Sequence, residues 1–194
     1  MQTSTKQVFF FAGEQSGDSL GADLITPLKQ HFPHLSLVGV GGPLMRKAGL
    51  TSLLKLEAFQ TMGFIKVIKR LPFFFRSFFY LKRYLLRHKP ALIVLIDYPG
   101  FNLRLARSLK RAGLTTPIVQ YVCPSVWAWG KKRIGLMEQY LDSLMTLLPF
   151  EPALFDAKKL KATYVGHPLT HKNLTSHKLR TYFEAKTFNV ALFP

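Results

Sequence analysis

Short runs of β-branched and aromatic residues alternate along the chain with segments of helical periodicity. This alternation is typical of repeated βαβ units, whose strands form one parallel sheet. The run Leu92-Ile93-Val94-Leu95-Ile96 is apolar at every position, as expected of a central strand covered on both faces. The other expected strands are Val8 to Phe11, Leu35 to Val40, Ile118 to Val122, Leu144 to Leu148 and Ala162 to Val165. The sequence therefore predicts an α/β fold, a parallel sheet with helices on both faces.

The segments between these strands carry helix signals. The expected helices are Ser19 to His31, Pro72 to His88, Phe101 to Ala112 and Lys131 to Leu141. Pro72 suits a first helical turn, and Gly113 stands where a left-handed carboxyl-terminal cap belongs. The polar stretch from Leu169 to Lys186 predicts a linker, and Asn189 to Phe193 predicts one further strand.

Charge is the feature of the composition that bears most on function. The 194 residues include 27 Lys or Arg against 10 Asp or Glu, a formal charge of +17. Such a balance indicates a negatively charged partner, which could be nucleic acid, an anionic membrane surface or a phosphorylated substrate. A single cysteine, Cys123, excludes an intrachain disulfide framework. With no secretory signal and no apolar run of about 18 residues, we expect a protein that is soluble or lies on a membrane.

A glycine-punctuated turn with two carboxylates follows the first strand. Its sequence is Ala12-Gly13-Glu14-Gln15-Ser16-Gly17-Asp18. Open α/β sheets bind ligands at such turns, where free helix amides hold an anion or a sugar hydroxyl. Equally, Ser16 or Asp18 could simply cap the next helix. The spacing alone does not decide between these interpretations.

A second carboxylate site follows the central strand. Asp97 comes directly after Ile96, and Tyr98-Pro99-Gly100 turns the chain before the next helix. A carboxylate at this position points into the crevice above the sheet, where partial desolvation suits a general base. The alternative is that Asp97 orders the turn or caps the helix.

Both tryptophans lie in one segment, Pro124-Ser125-Val126-Trp127-Ala128-Trp129, which precedes the cations of Gly130-Lys131-Lys132-Arg133. Aromatic faces beside cations suit sugar rings, bases or phosphate groups. Packing in the core is the alternative role for the two rings.

The region from Phe64 to Lys89 combines aromatic residues with cations and contains no acid. Its cations are Lys66, Lys69, Arg70, Arg76, Lys82, Arg83, Arg87 and Lys89. An amphipathic basic segment of this kind can lie in the interface of an anionic membrane. It can also be an ordinary helix that buries one face. Nucleic-acid binding is less well matched, because stacking platforms space their aromatic residues singly.

Several familiar site patterns fail. Gly39-Val40-Gly41-Gly42-Pro43-Leu44 lacks the third glycine of a dinucleotide fingerprint, and no Walker loop is present. His167 has no partner at metal-ligand spacing, and Cys123 at the end of a strand is typical of inert packing. We therefore expect neither a cofactor nor a metal.

Taken in order, several blocks resemble lipid-A-disaccharide synthase over about residues 8 to 170. They are Ala12 to Asp18, Gly39 to Pro43, Met62-Gly63, Ile96 to Asn102, Pro124 to Trp129, Pro149-Phe150-Glu151 and Val165 to Leu169. The resemblance implies the amino-terminal, Rossmann-like and acceptor-side half of an inverting GT-B glycosyltransferase. Such an enzyme transfers the sugar of UDP-2,3-diacylglucosamine to the 6-hydroxyl of 2,3-diacylglucosamine 1-phosphate, forming the β-1,6-linked lipid A disaccharide and UDP.

The resemblance also implies roles for individual residues. Asp97 would be the base that takes the acceptor proton, and Glu14 a polar contact or catalytic partner across the crevice. The substrate contacts that we expect are Ser16, Gly17, Asp18, Asn102, Ser125, Trp127 and Trp129. The residues expected to face the membrane or the acyl chains are Phe64, Ile65, Ile68, Arg70, Phe73, Phe74, Phe75, Arg76 and Phe78.

The expected division of the chain is a domain over residues 1–170, a linker over 171–187 and the start of a donor-binding domain over 188–194. On this division the chain binds the acceptor and the inner face of the inner membrane from the cytoplasm. It would transfer little sugar alone, with the donor domain supplied elsewhere. The alternatives are a non-catalytic basic module that binds membrane surfaces and a basic protein that binds nucleic acid.

Overall fold

A computed structural model of the chain describes residues 6–59 and 64–171. Its strands form one sheet with the order β3-β2-β1-β4-β5-β6-β7, and every neighbouring pair is parallel. The strands are β1 (Gln7–Ala12), β2 (Ser36–Gly41), β3 (Thr51–Lys55), β4 (Leu92–Ile96), β5 (Ile118–Tyr121), β6 (Ser143–Thr146) and β7 (Lys161–Tyr164). The α/β class and the parallel sheet predicted from the sequence are confirmed.

Five α-helices connect the described strands. They are α1 (Gln15–His31), α2 (Pro43–Lys47), α3 (Phe64–His88), α4 (Pro99–Arg111) and α5 (Lys132–Tyr140). Short 3-10 turns cover Leu56–Ala58, Glu151–Leu154 and Pro168–His171. Gly113 follows α4 with φ of +80°, the left-handed conformation that its position predicts.

The chain runs outward from β1 to β3 and then returns across the sheet to place β4 on the other side of β1. Ala12 pairs with Ile96 at the carboxyl ends of β1 and β4. These two strands therefore flank the point where the strand order reverses, which is where open α/β sheets form their ligand crevice.

Alternate residues of β1 enter two different hydrophobic layers. Phe9 and Phe11 pack in the layer that contains residues of α3, α4 and α5, while Val8, Phe10 and Ala12 pack in the layer of α1 and α2. Because both faces are covered, the strand is buried along nearly its whole length. This explains why β1 is apolar from Val8 to Ala12 instead of alternating with polar residues.

Three elements differ from the sequence prediction. The helix expected to begin at Pro72 begins at Phe64, so Pro72 lies inside α3 and cannot donate a hydrogen bond to the preceding turn. Helix α1 begins at Gln15, four residues before the expected Ser19. Strand β3 and the five-residue α2 were not predicted, since Thr51–Lys55 is a partly exposed edge strand without a run of β-branched residues.

The first residues of the predicted linker, up to His171, belong to the 3-10 turn Pro168–His171. The rest of that linker and the predicted strand over 189–193 lie outside the described residues. Within the described ranges, no helix is both long enough and apolar enough to cross a bilayer. The same ranges contain no group of three His, Cys, Asp or Glu side chains arranged to hold a metal ion.

Candidate active site at the carboxyl ends of β1 and β4

Two carboxylates lie just beyond the carboxyl ends of the adjacent strands β1 and β4, where the strand order reverses. Glu14 follows β1 and is the N-cap residue of α1, and Asp97 follows β4 directly. The ring of Tyr98 lies against Gly13, so closely that a Cβ at Gly13 would stand 2.7 Å from two ring carbons. A glycine is therefore required at position 13 to let the turns after β1 and β4 approach each other.

The backbone at Asp97 is held in an uncommon conformation. Asp97 and Tyr98 have φ of +47° and +46°, in the left-handed region that non-glycine residues rarely adopt. The Asp97 carbonyl accepts hydrogen bonds from Asn102 Nδ2 at 2.5 Å and from Gln120 Nε2 at 2.9 Å. The Asp97 N–H donates to the Tyr121 carbonyl at 2.9 Å. These three contacts hold the backbone of Asp97 in this uncommon conformation.

The surroundings make the two carboxylates stronger bases than free ones. Burial raises the pKa of Asp97, and a hydrogen bond from the Tyr98 backbone offsets part of that effect. Burial also raises the pKa of Glu14, and the negative charge of Asp97 raises it further. The pKa of Tyr98 rises through burial and then through the charge of Glu14. The three side chains therefore form one electrostatically coupled group.

An aromatic cleft of about 520 Å³ opens beside this group. Glu14 and Tyr98 line one part of it, and α3 and α4 supply the rest. The other lining residues are Leu71, Phe74, Phe75, Phe78, Phe79, Pro99, Gly100, Phe101 and Arg104. Asp97 is not among the described residues that line the cleft, so Glu14 is the carboxylate that meets it directly. An apolar cleft with a carboxylate and a cation at its border suits a ligand with both apolar and polar parts.

Comparison with known proteins shows the family to which the chain belongs. The profile of the family described as lipid-A-disaccharide synthetase matches residues 8–189. The chain belongs to the lipid-A-disaccharide synthetase family. Lipid-A-disaccharide synthase of Chlamydia pneumoniae is 41% identical over 191 residues, which are 96% of this chain and 32% of that protein. The synthase of Coxiella burnetii is 37% identical over 198 residues, 98% of this chain and 52% of that protein.

The synthase of Chlamydia abortus is 40% identical over 190 residues, which are 96% of this chain and 30% of that protein. The chain thus spans about a third to a half of the length of these curated relatives. The resemblance found in the sequence is confirmed at the level of the family.

The turn after β1 divides into exposed and buried residues. Ser16 is exposed in the first turn of α1, and Gly17 is buried against Ala12. The Asp18 carboxylate is buried and accepts hydrogen bonds from the N–H groups of Gly42 (2.8 Å), Leu44 (3.0 Å) and Met45 (3.0 Å). Because both oxygens of Asp18 accept from N–H groups at the start of α2, we assign this carboxylate to capping α2.

Asn102 is fully buried in α4, and its amide donates to the carbonyl of Asp97. It therefore acts on the site through the backbone of Asp97. Gln120 of β5 does the same and was not predicted. A single polar residue within the apolar strand Ile118-Val119-Gln120-Tyr121 was the signal that could have found it.

The loop after β5 exposes the aromatic residues that the sequence singled out. Trp127 and Trp129 are 49% and 74% exposed, so packing in the core is excluded as their main role. Trp127 contacts Phe150 edge-to-face with ring centres 5.9 Å apart, and Ser125 is exposed in the same loop. Cys123 at the start of this loop is buried, and burial together with Glu151 raises its pKa to about 12, consistent with inert packing.

The aromatic residues of α3 differ in how deeply they are buried. Phe73 and Phe74 are half-buried against Phe59, and Phe78 packs edge-to-face on Phe101 at 5.7 Å. Phe75 is 61% exposed and Arg76 is also exposed. The side chains expected at Phe64, Ile65, Ile68 and Arg70 lie outside those that the structure describes.

Proposed function

We propose that the chain provides the acceptor side of a lipid-A-disaccharide synthase. In the proposed reaction Asp97 takes the proton of the 6-hydroxyl of 2,3-diacylglucosamine 1-phosphate. The oxygen attacks C1 of the glucosamine in UDP-2,3-diacylglucosamine and forms the new C–O bond with inversion. The bond from C1 to the diphosphate breaks at the same time, and UDP leaves with the electron pair.

The observation that carries this proposal is the pairing of Glu14 and Asp97 where the strand order reverses. Desolvation makes Asp97 a stronger base, and its left-handed backbone is held by three hydrogen bonds. Glu14 lines the cleft, and the negative charge of Asp97 raises the pKa of Glu14. This position suits a residue that orients the acceptor sugar. We assign base chemistry to Asp97 and substrate orientation to Glu14.

The aromatic cleft supports the second part of the proposal, that the acceptor is acylated. Phe74, Phe75, Phe78 and Phe79 give the cleft an apolar wall close to Glu14. Acyl chains bound there would place their sugar beside the carboxylates. Exposed Phe75 and Arg76 suit attachment to an anionic surface, which we propose is the cytoplasmic face of the inner membrane.

The donor side of the reaction requires more than this domain. Positioning of two reactants supplies much of the catalysis in a transfer reaction. Because the chain spans only a third to a half of its curated relatives, we propose that a further domain holds the UDP group. Ser16, Ser125, Trp127 and Trp129 are exposed on the carboxyl side of the sheet and are the residues proposed to meet substrate from this domain.

The test uses a chimera in which residues 8–189 replace the matching part of the Coxiella burnetii relative. The chimera should form disaccharide from the two acylated sugars, while Asp97→Asn should lower turnover roughly 100-fold or more, the range of general-base catalysis. Asp156→Asn, on an exposed turn, is the matched control. Full turnover by the Asp97→Asn chimera would overturn the assignment of the base.

A further inference from the structure

Helices α3 and α4 form a second concave surface, to which the proposed reaction assigns no step. It is a pocket of about 370 Å³. Its described lining residues are Lys82, Arg104, Arg107, Ser108, Arg111 and Ala112. Four of these carry positive charge and none carries negative charge.

Among the residues that the structure describes, none of these four cations forms a salt bridge with a carboxylate. Within the described residues, the salt bridges are made by Arg46, Lys110 and Lys159. Arg104, Arg107 and Arg111 are spaced by three and four residues, which places them along one face of α4. Arg107 also lies 6.0 Å from the ring centre of Tyr140, a contact that leaves its charge uncompensated. Neighbouring positive charges favour an anionic ligand. A guanidinium group can donate two parallel hydrogen bonds to two oxygens of one phosphate.

Neighbouring apolar surface indicates what kind of anion this is. Arg104 lines both the cationic pocket and the aromatic cleft. Phe79, which is 62% exposed, lines both the cleft and a groove formed with Lys82, Arg83, Leu86 and Arg87. A phosphate in the pocket would thus have aromatic surface within reach of an attached acyl chain. Nucleic acid offers the phosphate but no apolar chain.

We propose that the pocket of Lys82, Arg104, Arg107 and Arg111 binds the phosphate of an anionic phospholipid and seats α3 and α4 on the bilayer. Phe75 and Phe79 then enter the layer of acyl chains beside the bound headgroup. The site is separate from the carboxylates, so this inference does not depend on the transfer reaction assigned to Asp97.

The first test measures binding to vesicles of equal parts phosphatidylcholine and phosphatidylglycerol. The triple variant Arg104→Gln, Arg107→Gln, Arg111→Gln should bind on the order of 100-fold more weakly, since each cation near the surface contributes about fivefold. The triple variant Lys47→Gln, Lys158→Gln, Lys161→Gln removes the same charge from exposed positions elsewhere and should weaken binding only a few fold. Equal losses of vesicle binding in the two triple variants would overturn the proposed phosphate site. They would show that binding depends only on the net charge of the protein.

A pair of single variants covers the case in which the triple variant fails to fold. Ser108→Glu places a carboxylate in the pocket, and Ser108→Gln has the same shape without the charge. We expect Ser108→Glu to bind these vesicles about fivefold more weakly than Ser108→Gln, with both retaining the circular dichroism of the parent. Equal binding by the two would contradict the proposal.

Further probes separate the possible sources of phosphate. Glycerol phosphate should compete with the vesicles far more weakly than dispersed phosphatidylglycerol, because it lacks the acyl chains. Equal competition would show a site for free phosphate and overturn the lipid assignment. Loss of single-stranded DNA binding in the Ser108→Glu variant, with vesicle binding unchanged, would assign the pocket to nucleic acid instead. Asp97→Asn should leave vesicle binding unchanged, which keeps this test independent of catalysis.

Discussion

The side-chain amide of Gln120 donates a hydrogen bond to the carbonyl of Asp97 over 2.9 Å. Gln120 lies in β5, next to β4, and is fully buried. A strand adjacent to the one that carries the candidate base therefore fixes the backbone of that base. Asn102 approaches the same carbonyl from α4, so the turn at Asp97 is held from two directions.

Replacement of Gln120 by Met should disturb the base without removing it. Met has similar length but cannot donate to the Asp97 carbonyl, so the left-handed turn loses one of its supports. In the chimera described above we expect turnover to fall about tenfold with KM for the acceptor nearly unchanged. The acid limb of the pH profile should also move, because the surroundings of the carboxylate change. Gln139→Met, on the exposed side of α5, should change none of these quantities.

Asp97→Asn should stabilise the fold at neutral pH. The pKa of Asp97 is raised in the folded state, so the folded protein binds more protons than the unfolded chain between the two pKa values. Stability due to this group is therefore lost as pH rises through that window, which begins near the unfolded value of about 3.9. Asn removes the charge and tolerates the left-handed conformation.

Urea unfolding at pH 7 and at pH 3 measures this effect. The gain in unfolding free energy from Asp97→Asn should be present at pH 7 and largely absent at pH 3. Asp97→Ala should lack the gain, since alanine is strained at φ of +47°. A loss of stability in the Asn variant at pH 7 would favour the helix-capping role of Asp97 that the sequence left open.

Asp18→Asn should lower stability and leave acceptor binding unchanged. The Asp18 carboxylate accepts hydrogen bonds from three N–H groups at the start of α2. In asparagine an NH2 group replaces one carboxylate oxygen, so a side-chain donor would face a backbone donor. We expect the unfolding free energy to fall by about 2 to 3 kcal/mol, measured by urea unfolding. Gln30→Ala, at an exposed position of α1, should change it by less than about 0.5 kcal/mol. A raised KM with unchanged stability would instead place Asp18 among the substrate contacts.

Phe75→Ala tests whether the cleft binds acyl chains. Phe75 lines the cleft and is 61% exposed, so its removal takes away contact area for a ligand at little cost to the fold. We expect KM for the acylated acceptor to rise about tenfold, as for the loss of one well-buried aromatic contact. Phe32→Ala, at a residue that is 57% exposed beyond the end of α1, is the matched control and should leave KM unchanged.

The sequence predicted the elements whose residues carry their own signal. The apolar run Leu92–Ile96 became β4 with the expected bounds, and Asp97 and Glu14 stand where their strands end. The role of Asp18 was not predictable, because its N–H partners come from α2, 24 to 27 residues away. Gln120 was missed for the same reason, since its partner at Asp97 is 23 residues away and adjacent only in the sheet. Local patterns specify elements, whereas partners across the sheet depend on topology.

Gly13→Ala should destabilise the protein because of Tyr98. A Cβ at residue 13 would lie 2.7 Å from ring carbons of Tyr98, too close for the ring to stay where it is. We expect a loss of about 1 to 3 kcal/mol in the unfolding free energy, the usual cost of overpacking. In contrast, Gly135→Ala in α5, where nothing lies within 4 Å of the added Cβ, should stabilise by about 0.5 to 1 kcal/mol.

A double-mutant cycle assigns this cost to the ring. Tyr98→Gly removes the ring and suits φ of +46°, so Gly13→Ala should cost little in the Tyr98→Gly background. The coupling free energy between the two substitutions would then about equal the loss of unfolding free energy caused by Gly13→Ala alone. Equal costs in both backgrounds would show that the turn after β1 is strained by its own backbone. In that case Tyr98 would not be what holds Glu14 and Asp97 at their present approach.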